Sequence, residues 1–551
     1  MKLFHRKNIV LLMSSAFVLL SCTSDFEDIN KNPLLPDDHQ KTLDGLASVG
    51  LFPGFIANIV PTATGSGTSA QNNYQVTSNM TGDVWSGYMG VGTQWDGGTS
   101  TPNLFIKENR RTGIFSVMLE NAINPFMEIK AATHNVTLVG GERVYTPRDL
   151  TSQANFAVAQ IIKVMGIHRL TDLYGPIPYS KIGAGKLQAP YDSQEQVYRL
   201  MLQELHESVT KLVEYKNAGG TTILKNNDPL YQGNTEKWIR FGNSLMLRLA
   251  IRVRYADVAL AQTYITYATS AISGGLMETN DHTAKLETNG TFRFFNSIYT
   301  LRTYTEANAG ANLLSYLEGY NDARKEVYFT KGNYNGTDGY YGVRMGVRKP
   351  KADYENYSEL NIVEATPTYW FKASEVQFLL AEARLFNLIS TGTAEEYYNK
   401  GIELSFSENN LSAGTYATTS AKPAKYTDPR DSDHNAEAVS TIDKKWSSVS
   451  TDEEHLEQII TQKYIANFPI GLEAWSEWRR TGYPRMFKEV VNLTNVNAVS
   501  ISADGKNGGI RRVPFSLDEY QLNSENMPAA VSLLGGADNA ATNVWWDKKS
   551  K

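Results

Sequence analysis

Ser193-Gln194-Glu195-Gln196-Val197-Tyr198-Arg199-Leu200-Met201 opens the stretch that decides the fold. A serine followed three residues later by glutamine is the spelling of a capping box. Val197, Leu200, Met201, Leu205, Val209 and Leu212 then recur at helical spacing. The neighbours repeat the theme. Residues 151–173 carry Phe156, Ala159, Ile162, Met165 and Ile167 on one stripe, and Tyr174-Gly175-Pro176 stops the run. Helices are also predicted over 105–133, with a break at Pro125, and over 235–255 and 258–273, the last ended by Gly274-Gly275. More follow over 374–388, 394–410, 452–468 and 472–481. Helices of this length, paired through tight turns, predict a mainly α protein of tetratricopeptide-like hairpins.

Between the helices lie loop-rich stretches: 61–104, 276–368 and 412–450. The first is crowded with Gly, Ser, Thr and Asn and predicts mostly loop, with one short helix over 70–81. In the second, Gly336, Gly339, Gly342 and Gly346 alternate with tyrosines. The helical portions at 105–273, 374–410 and 452–481, together with these loops, are expected to form a single body over 46–551.

The amino end reads differently. Lys2, Arg6 and Lys7 precede a short apolar run, Ile9 to Leu20, which falls short of the roughly 20 residues that span a bilayer. It reads as an export signal over 1–21. Cys22, the only cysteine in 551 residues, follows at once. A cysteine placed there resembles the lipobox of bacterial lipoproteins, which implies lipid on Cys22 and a tether over 22–45 broken by Pro33 and Pro36. Loss of the leader removes three positive charges from a net charge of −5 and leaves −8. An acidic body argues against nucleic acid as a partner. With Cys22 lipidated, no thiol remains for a disulfide, a metal site or a nucleophile. At 41% hydrophobic and 20% charged residues, the chain can bury a large core without such staples.

A set of blocks, in order along the chain, carries a family resemblance. Asp25-Phe26-Glu27-Asp28-Ile29-Asn30 follows the lipobox; Leu170 to Ser180, Tyr191 to Glu195 and Phe241 to Ala250 come next. Glu375 to Ala383, Glu473 to Pro484, Arg511 to Pro514 and Trp545-Trp546 complete the set. The whole mature chain resembles the SusD/RagB-type outer-membrane lipoproteins. The resemblance implies tetratricopeptide-like helices packed on an irregular ligand-binding portion, at the outer face of the outer membrane. It also implies a SusC-like TonB-dependent transporter as partner, with the protein as its hinged lid, and a glycan or a peptide as the captured ligand. It implies no cofactor and no catalysis.

Each motif also has a bland reading. Leu170 to Ser180 reads as a rigid turn after a helix. Trp475 and Trp478, on one helix face, read as packed core with the stems of Arg479 and Arg480 laid over it. Asp428, Asp431 and Asp433 could hold calcium but lack the spacing of an EF-hand, and read as a solvated acidic loop. Gly183 to Lys186 lacks the earlier glycine of a phosphate loop, and the eight histidines are scattered. The aromatics differ. Trp85, Tyr88 and Trp95 sit in a stretch too rich in Gly and Ser to bury three large rings easily. A flat ring there can stack on the apolar face of a sugar while nearby polar groups bind its hydroxyls. Tyr299, Tyr304, Tyr340 and Tyr341 are the second set of candidate ligand contacts. The alternative class is a surface glycoside hydrolase, which needs two carboxylates about 5 to 10 Å apart. A third is a scaffold that binds only its transporter.

Overall fold

The computed structural model describes residues 49–551 apart from 66–67, 94–97, 141, 183–187 and 349–350. The chain divides into residues 1–50 and a second compact unit, Leu51–Lys551. The leader, Cys22 and the tether fall outside the described residues. No helix among those described is long and apolar enough to cross a membrane.

The second unit is built on helices: α1 (Phe52–Ile59), α2 (Ser69–Tyr74), α3 (Glu108–Thr133), α4 (Leu150–Tyr174), α5 (Gln194–Asn217), α6 (Thr235–Val253), α7 (Val258–Thr269), α8 (Ala373–Leu385), α9 (Ala394–Glu408), α10 (Asp452–Asn467) and α11 (Gly471–Thr481). Consecutive helices pack side by side from α3 to α7, and α8 packs on both α9 and α10. Their starts are written in the sequence. Asp149, Ser193, Asn234 and Asp257 each accept a backbone N–H from the first turn of α4, α5, α6 and α7. Thr393 with Glu396, and Thr451 with Glu454, close reciprocal capping boxes. Gly175 ends α4 at φ +83°, a conformation that side chains with a Cβ resist. Five helices, α4, α6, α8, α10 and α11, are buried around most of their circumference, so the core lies where they meet.

The structure departs from the sequence reading in three places. Pro125 does not break α3, which runs unbroken for 26 residues. Phe126 packs against Phe156 of α4 at 5.4 Å, and tertiary packing outweighs the one backbone hydrogen bond that proline cannot make. The short helix expected over 70–81 is present, but it departs in kind, because α2 runs on into a π-helix, Gln75–Asp83. There Thr77 Oγ1 donates to the Asn73 carbonyl (2.7 Å) and Thr81 Oγ1 to that of Thr77 (2.9 Å), so polar side chains satisfy the widened turns. Third, His134–Val139 and Glu142–Pro147 form an antiparallel ribbon where no strand was expected. The other strands are short antiparallel pairs, mostly within the loop-rich portion.

Candidate ligand-binding face

Two places concentrate chemistry, and they have opposite characters. The first is the core junction. Arg248 holds Glu375 with two hydrogen bonds (2.8 and 2.7 Å). Arg480 grips Glu382 through both terminal nitrogens at 2.6 Å and Glu477 at 2.7 Å. Arg252 pairs with Glu473 and lies 3.4 Å from Asp172, while Lys463 sits between Glu375, Glu473 and Glu477. Arg479 donates to the carbonyls of Asp172 and Arg511 and lies 3.3 Å over the Trp475 ring. Tyr198 and Trp546 both donate to Asp172. All these side chains are buried. Burial raises Glu473, but Arg252, Arg248 and Lys463 outweigh it and hold the carboxyl down at about 2. Trp475, Trp478, Arg479 and Arg480 are thus core, as expected. Most of these buried charges are held by opposite charges from neighbouring helices.

A cavity of about 40 Å³ of water-accessible volume adjoins this network, lined in part by Asp83, His168, Arg169 and Trp370. Ligand pockets run to about 300 Å³ or more, so it does not admit a sugar.

The second place is the loop-rich face, assembled from four separated segments. Met89–Gly90 pairs with Asn308–Ala309. Asn308 bridges to Glu359, and Gly310 to Val343. Gly90 is required here, because a Cβ would meet Val343 at 2.4 Å. Above this floor the Gly92 and Thr93 N–H groups both donate to the Thr305 carbonyl at 3.0 Å, and Thr93 Oγ1 donates to the Tyr304 carbonyl at 2.6 Å. Thr305 adopts φ +61°, a strained choice for a β-branched residue and one that clusters at ligand-holding sites. Tyr304 is 57% exposed. Arg302 donates to the Leu360 carbonyl (3.3 Å) and lies 3.7 Å from Glu359, which is itself half exposed.

The sequence candidates divide on this geometry. The expectation that a Gly- and Ser-rich stretch leaves Trp85 and Tyr88 unburied is overturned. Trp85 packs 4.9 Å from Trp475, and its Nε1 donates to the Thr101 carbonyl at 3.4 Å. Tyr88 stacks on Tyr464 at 4.6 Å, meets Phe468 edge-on at 5.4 Å and donates to the Tyr464 carbonyl. Both rings are in the core because the helical run through residue 85 carries them inward. Trp95 lies outside the described residues, but the chain enters its segment at Thr93, directly beside Tyr304. Tyr299 is half-buried against Phe295 (5.6 Å) and the Arg302 guanidinium (5.1 Å). Tyr340 and Tyr341 do not act together. Tyr340 lies under the Lys325 ammonium at 4.6 Å, whereas Tyr341 turns to the Thr337 carbonyl and to Tyr357. Neighbouring residues of an extended chain point to opposite sides. Thr93, Arg302 and Glu359 went unnoticed in the sequence, since each is an ordinary residue until the fold assembles its segments.

The Asp428 loop is also corrected. Asp428 is buried, accepting from Tyr357 (2.7 Å), Tyr426 (3.0 Å) and two backbone N–H groups (3.0 Å each). It braces the tyrosines beneath the face, and only Asp433 is fully in solvent. Among the described residues no group of three or more His, Cys, Asp or Glu is placed to hold a metal.

Fold and face together define a class: a tetratricopeptide-like helical scaffold whose long inter-helix loops build a separate aromatic surface. Comparison with known families agrees. The chain matches the SusD-like family, described as SusD and RagB outer membrane lipoproteins, over residues 28–547, and it belongs to that family. A chitin-binding SusD homologue from Flavobacterium johnsoniae is 32% identical with a TM-score of 0.81, over 91% of this chain and 99% of that one. A SusD homologue from Bacteroides uniformis is 33% identical with a TM-score of 0.77, over the same shares of each chain. One from Bacteroides vulgatus is 29% identical with a TM-score of 0.82, over 91% and 98%. Comparison with curated proteins finds no match.

Proposed function

We propose that this protein is a non-catalytic cell-surface lipoprotein that captures a glycan on the loop-rich face and passes it to a SusC-like TonB-dependent transporter, over which it acts as the lid. Cys22 carries the lipid that tethers it to the outer membrane, facing the exterior. The body is then 46–551, following a leader over 1–21 and a tether over 22–45. The observation that carries the reading is the exposed Tyr304 ring, on a turn whose backbone carbonyl accepts a hydrogen bond from Thr93. The Tyr304 ring offers a flat surface on which a sugar can stack, with Trp95 the second aromatic proposed for the contact, and Arg302 and Glu359 offer hydrogen bonds to sugar hydroxyls. Tyr299, Tyr340 and Tyr341 are further proposed contacts from the same loop-rich portion. The kinship with a chitin-binding homologue makes oligomers of N-acetylglucosamine the first ligands to try.

Titration calorimetry with chitin oligosaccharides and a panel of other glycans and peptides tests the reading. Binding without release of shorter products supports it. Cleavage of the glycan would instead favour a surface hydrolase, and silence across the panel a pure scaffold. Cys22→Ala is expected to leave outer-membrane fractions, and a transporter barrel is expected to co-purify with the lipidated form.

A further inference from the structure

The cavity beside the charged core has an unusual lining. Neither ring nitrogen of His168, nor Nε1 of Trp370, has a hydrogen-bond partner among the described residues. Both side chains are more than nine-tenths buried, and both line this cavity. The His168 ring lies 3.7 Å from Asp172, close enough for attraction but too long for a hydrogen bond. Arg169 spends its terminal nitrogens on the Ile59 carbonyl and the Ser78 hydroxyl. Asp83 receives the Tyr74 hydroxyl at 3.0 Å. An unpaired polar group in such a place costs roughly 1–3 kcal/mol, and here three nitrogens share one space.

We infer that this cavity is a built hydration site, holding about three water molecules that bridge His168, Trp370 and the Arg169–Asp83 side. Three observations converge on water. The volume matches, since one water needs about 10–15 Å³ measured this way. The lining supplies both donors and acceptors, and a buried water makes about three hydrogen bonds. The charges also balance: Asp172 and Glu473 face Arg169 and Arg248, while burial favours the neutral forms of both Asp83 and His168, so the site selects neither an anion nor a cation. Half-buried Pro367, Tyr369, Pro469 and Ile470 lie at its rim and give a path for exchange with bulk solvent. The site is distinct from the ligand face and does not depend on what that face binds.

A crystal structure of the full soluble chain, at a resolution that orders internal solvent, is the direct test. Density peaks within hydrogen-bonding distance of a His168 ring nitrogen and of Trp370 Nε1 are expected. A dry cavity, a bound ion, or His168 and Trp370 paired to protein groups would overturn the inference. In solution, magnetisation transfer from water to the Trp370 indole proton is expected, with the resonance assigned by its loss in Trp370→Phe. If that variant fails to fold, the crystallographic result on the unaltered chain decides the question alone.

Discussion

Trp475 and Tyr304 are both large aromatics, yet the molecule uses them in opposite ways. Trp475 is fully buried, with Arg479 flat over its ring and its Nε1 bonded to the Ile510 carbonyl. Tyr304 presents more than half its surface to solvent from a strained turn. The difference runs through the two regions that contain them. In the core junction, charges are buried, paired and shared among α4, α6, α8, α10 and α11. On the loop face, the backbone is tied down by hydrogen bonds while the Tyr304 ring and half of Glu359 stay in solvent. Of the sequence blocks that carry the family resemblance, those holding Arg248, Glu375, Glu473 to Arg480 and Arg511 map to the first region. They specify how the scaffold assembles; in the function proposed here, ligand choice falls to the second.

The sharpest way to break this comparison is to strip one partner from the core network. Arg480→Ala leaves Glu382 and Glu477 buried without their principal cation. Removing one member of a buried pair costs about 3–5 kcal/mol. Urea denaturation should show a loss of that order, with glycan affinity unchanged in the protein that remains folded. A loss below about 1 kcal/mol would mean the network behaves as a surface does.

The two sets of aromatics give the next test. Trp85→Ala, in the core, is expected to lower stability by about 3–5 kcal/mol. Tyr304→Ala, on the face, and Trp95→Ala should leave the melting temperature alone and weaken ligand binding by about 1–3 kcal/mol in calorimetry. If Trp85→Ala were stable and lost only affinity, the burial of that ring would not describe the working protein.

This contrast also shows what was legible in the sequence. The long helices were, because Val197, Met201, Leu205, Val209 and Leu212 repeat at the helical period and their caps are spelled in single residues. The core role of Trp475 and Trp478 was too, since their spacing puts them on one face of a helix. Trp85 and Tyr88 were misread, because Ser, Thr and Asn stand for loop in a composition, whereas Thr77 and Thr81 here bond back to helix carbonyls. The ribbon at 134–147 was missed although Val136 and Leu138 alternate before Gly140-Gly141, a strand-and-turn pattern too short to stand out beside long helices. The face itself was only partly legible. Its floor joins residues near 90, 308, 343 and 359, and no local pattern reports a pairing that long-range topology decides.

The core also holds two carboxyls pulled in opposite directions, which pH can separate. Burial pushes Asp83 up to about 7, against the pull of Tyr74, Arg169 and the Gly471 N–H. Its unfolded value is 3.8, so between about 4 and 7 the folded state keeps a proton that the unfolded chain has released. Stability therefore falls as pH rises through that window, by up to about 4 kcal/mol from this group. Glu473, held at about 2, contributes stability that is present above 4.5 and lost as pH falls toward 2. Asp83→Asn should remove the decline between pH 4 and 7 and raise the melting temperature at pH 8, while keeping the acid limb. A wild-type curve that is flat from pH 4 to 7 would show that Asp83 is not held protonated.

The smallest effect is the control that gives the largest its meaning. Arg199 on α5 forms the same kind of pair as Arg480, donating to Glu195 one turn away (3.0 and 2.8 Å) and to Asp257 at 2.6 Å. Its side chain is 41% exposed, where that of Arg480 is wholly buried. In water each ion is already well solvated, so the pair gains little and salt screens what it gains. Arg199→Ala should cost between about 0.2 and 1 kcal/mol by denaturation, and less in high salt. Asp257 keeps its separate task of capping α7 through the Leu260 N–H, so the helix start survives the change. Two arginines with comparable hydrogen-bond distances and severalfold different costs would locate the stability of this scaffold in burial rather than in the ion pair as such. Equal costs would dissolve the distinction between the two regions.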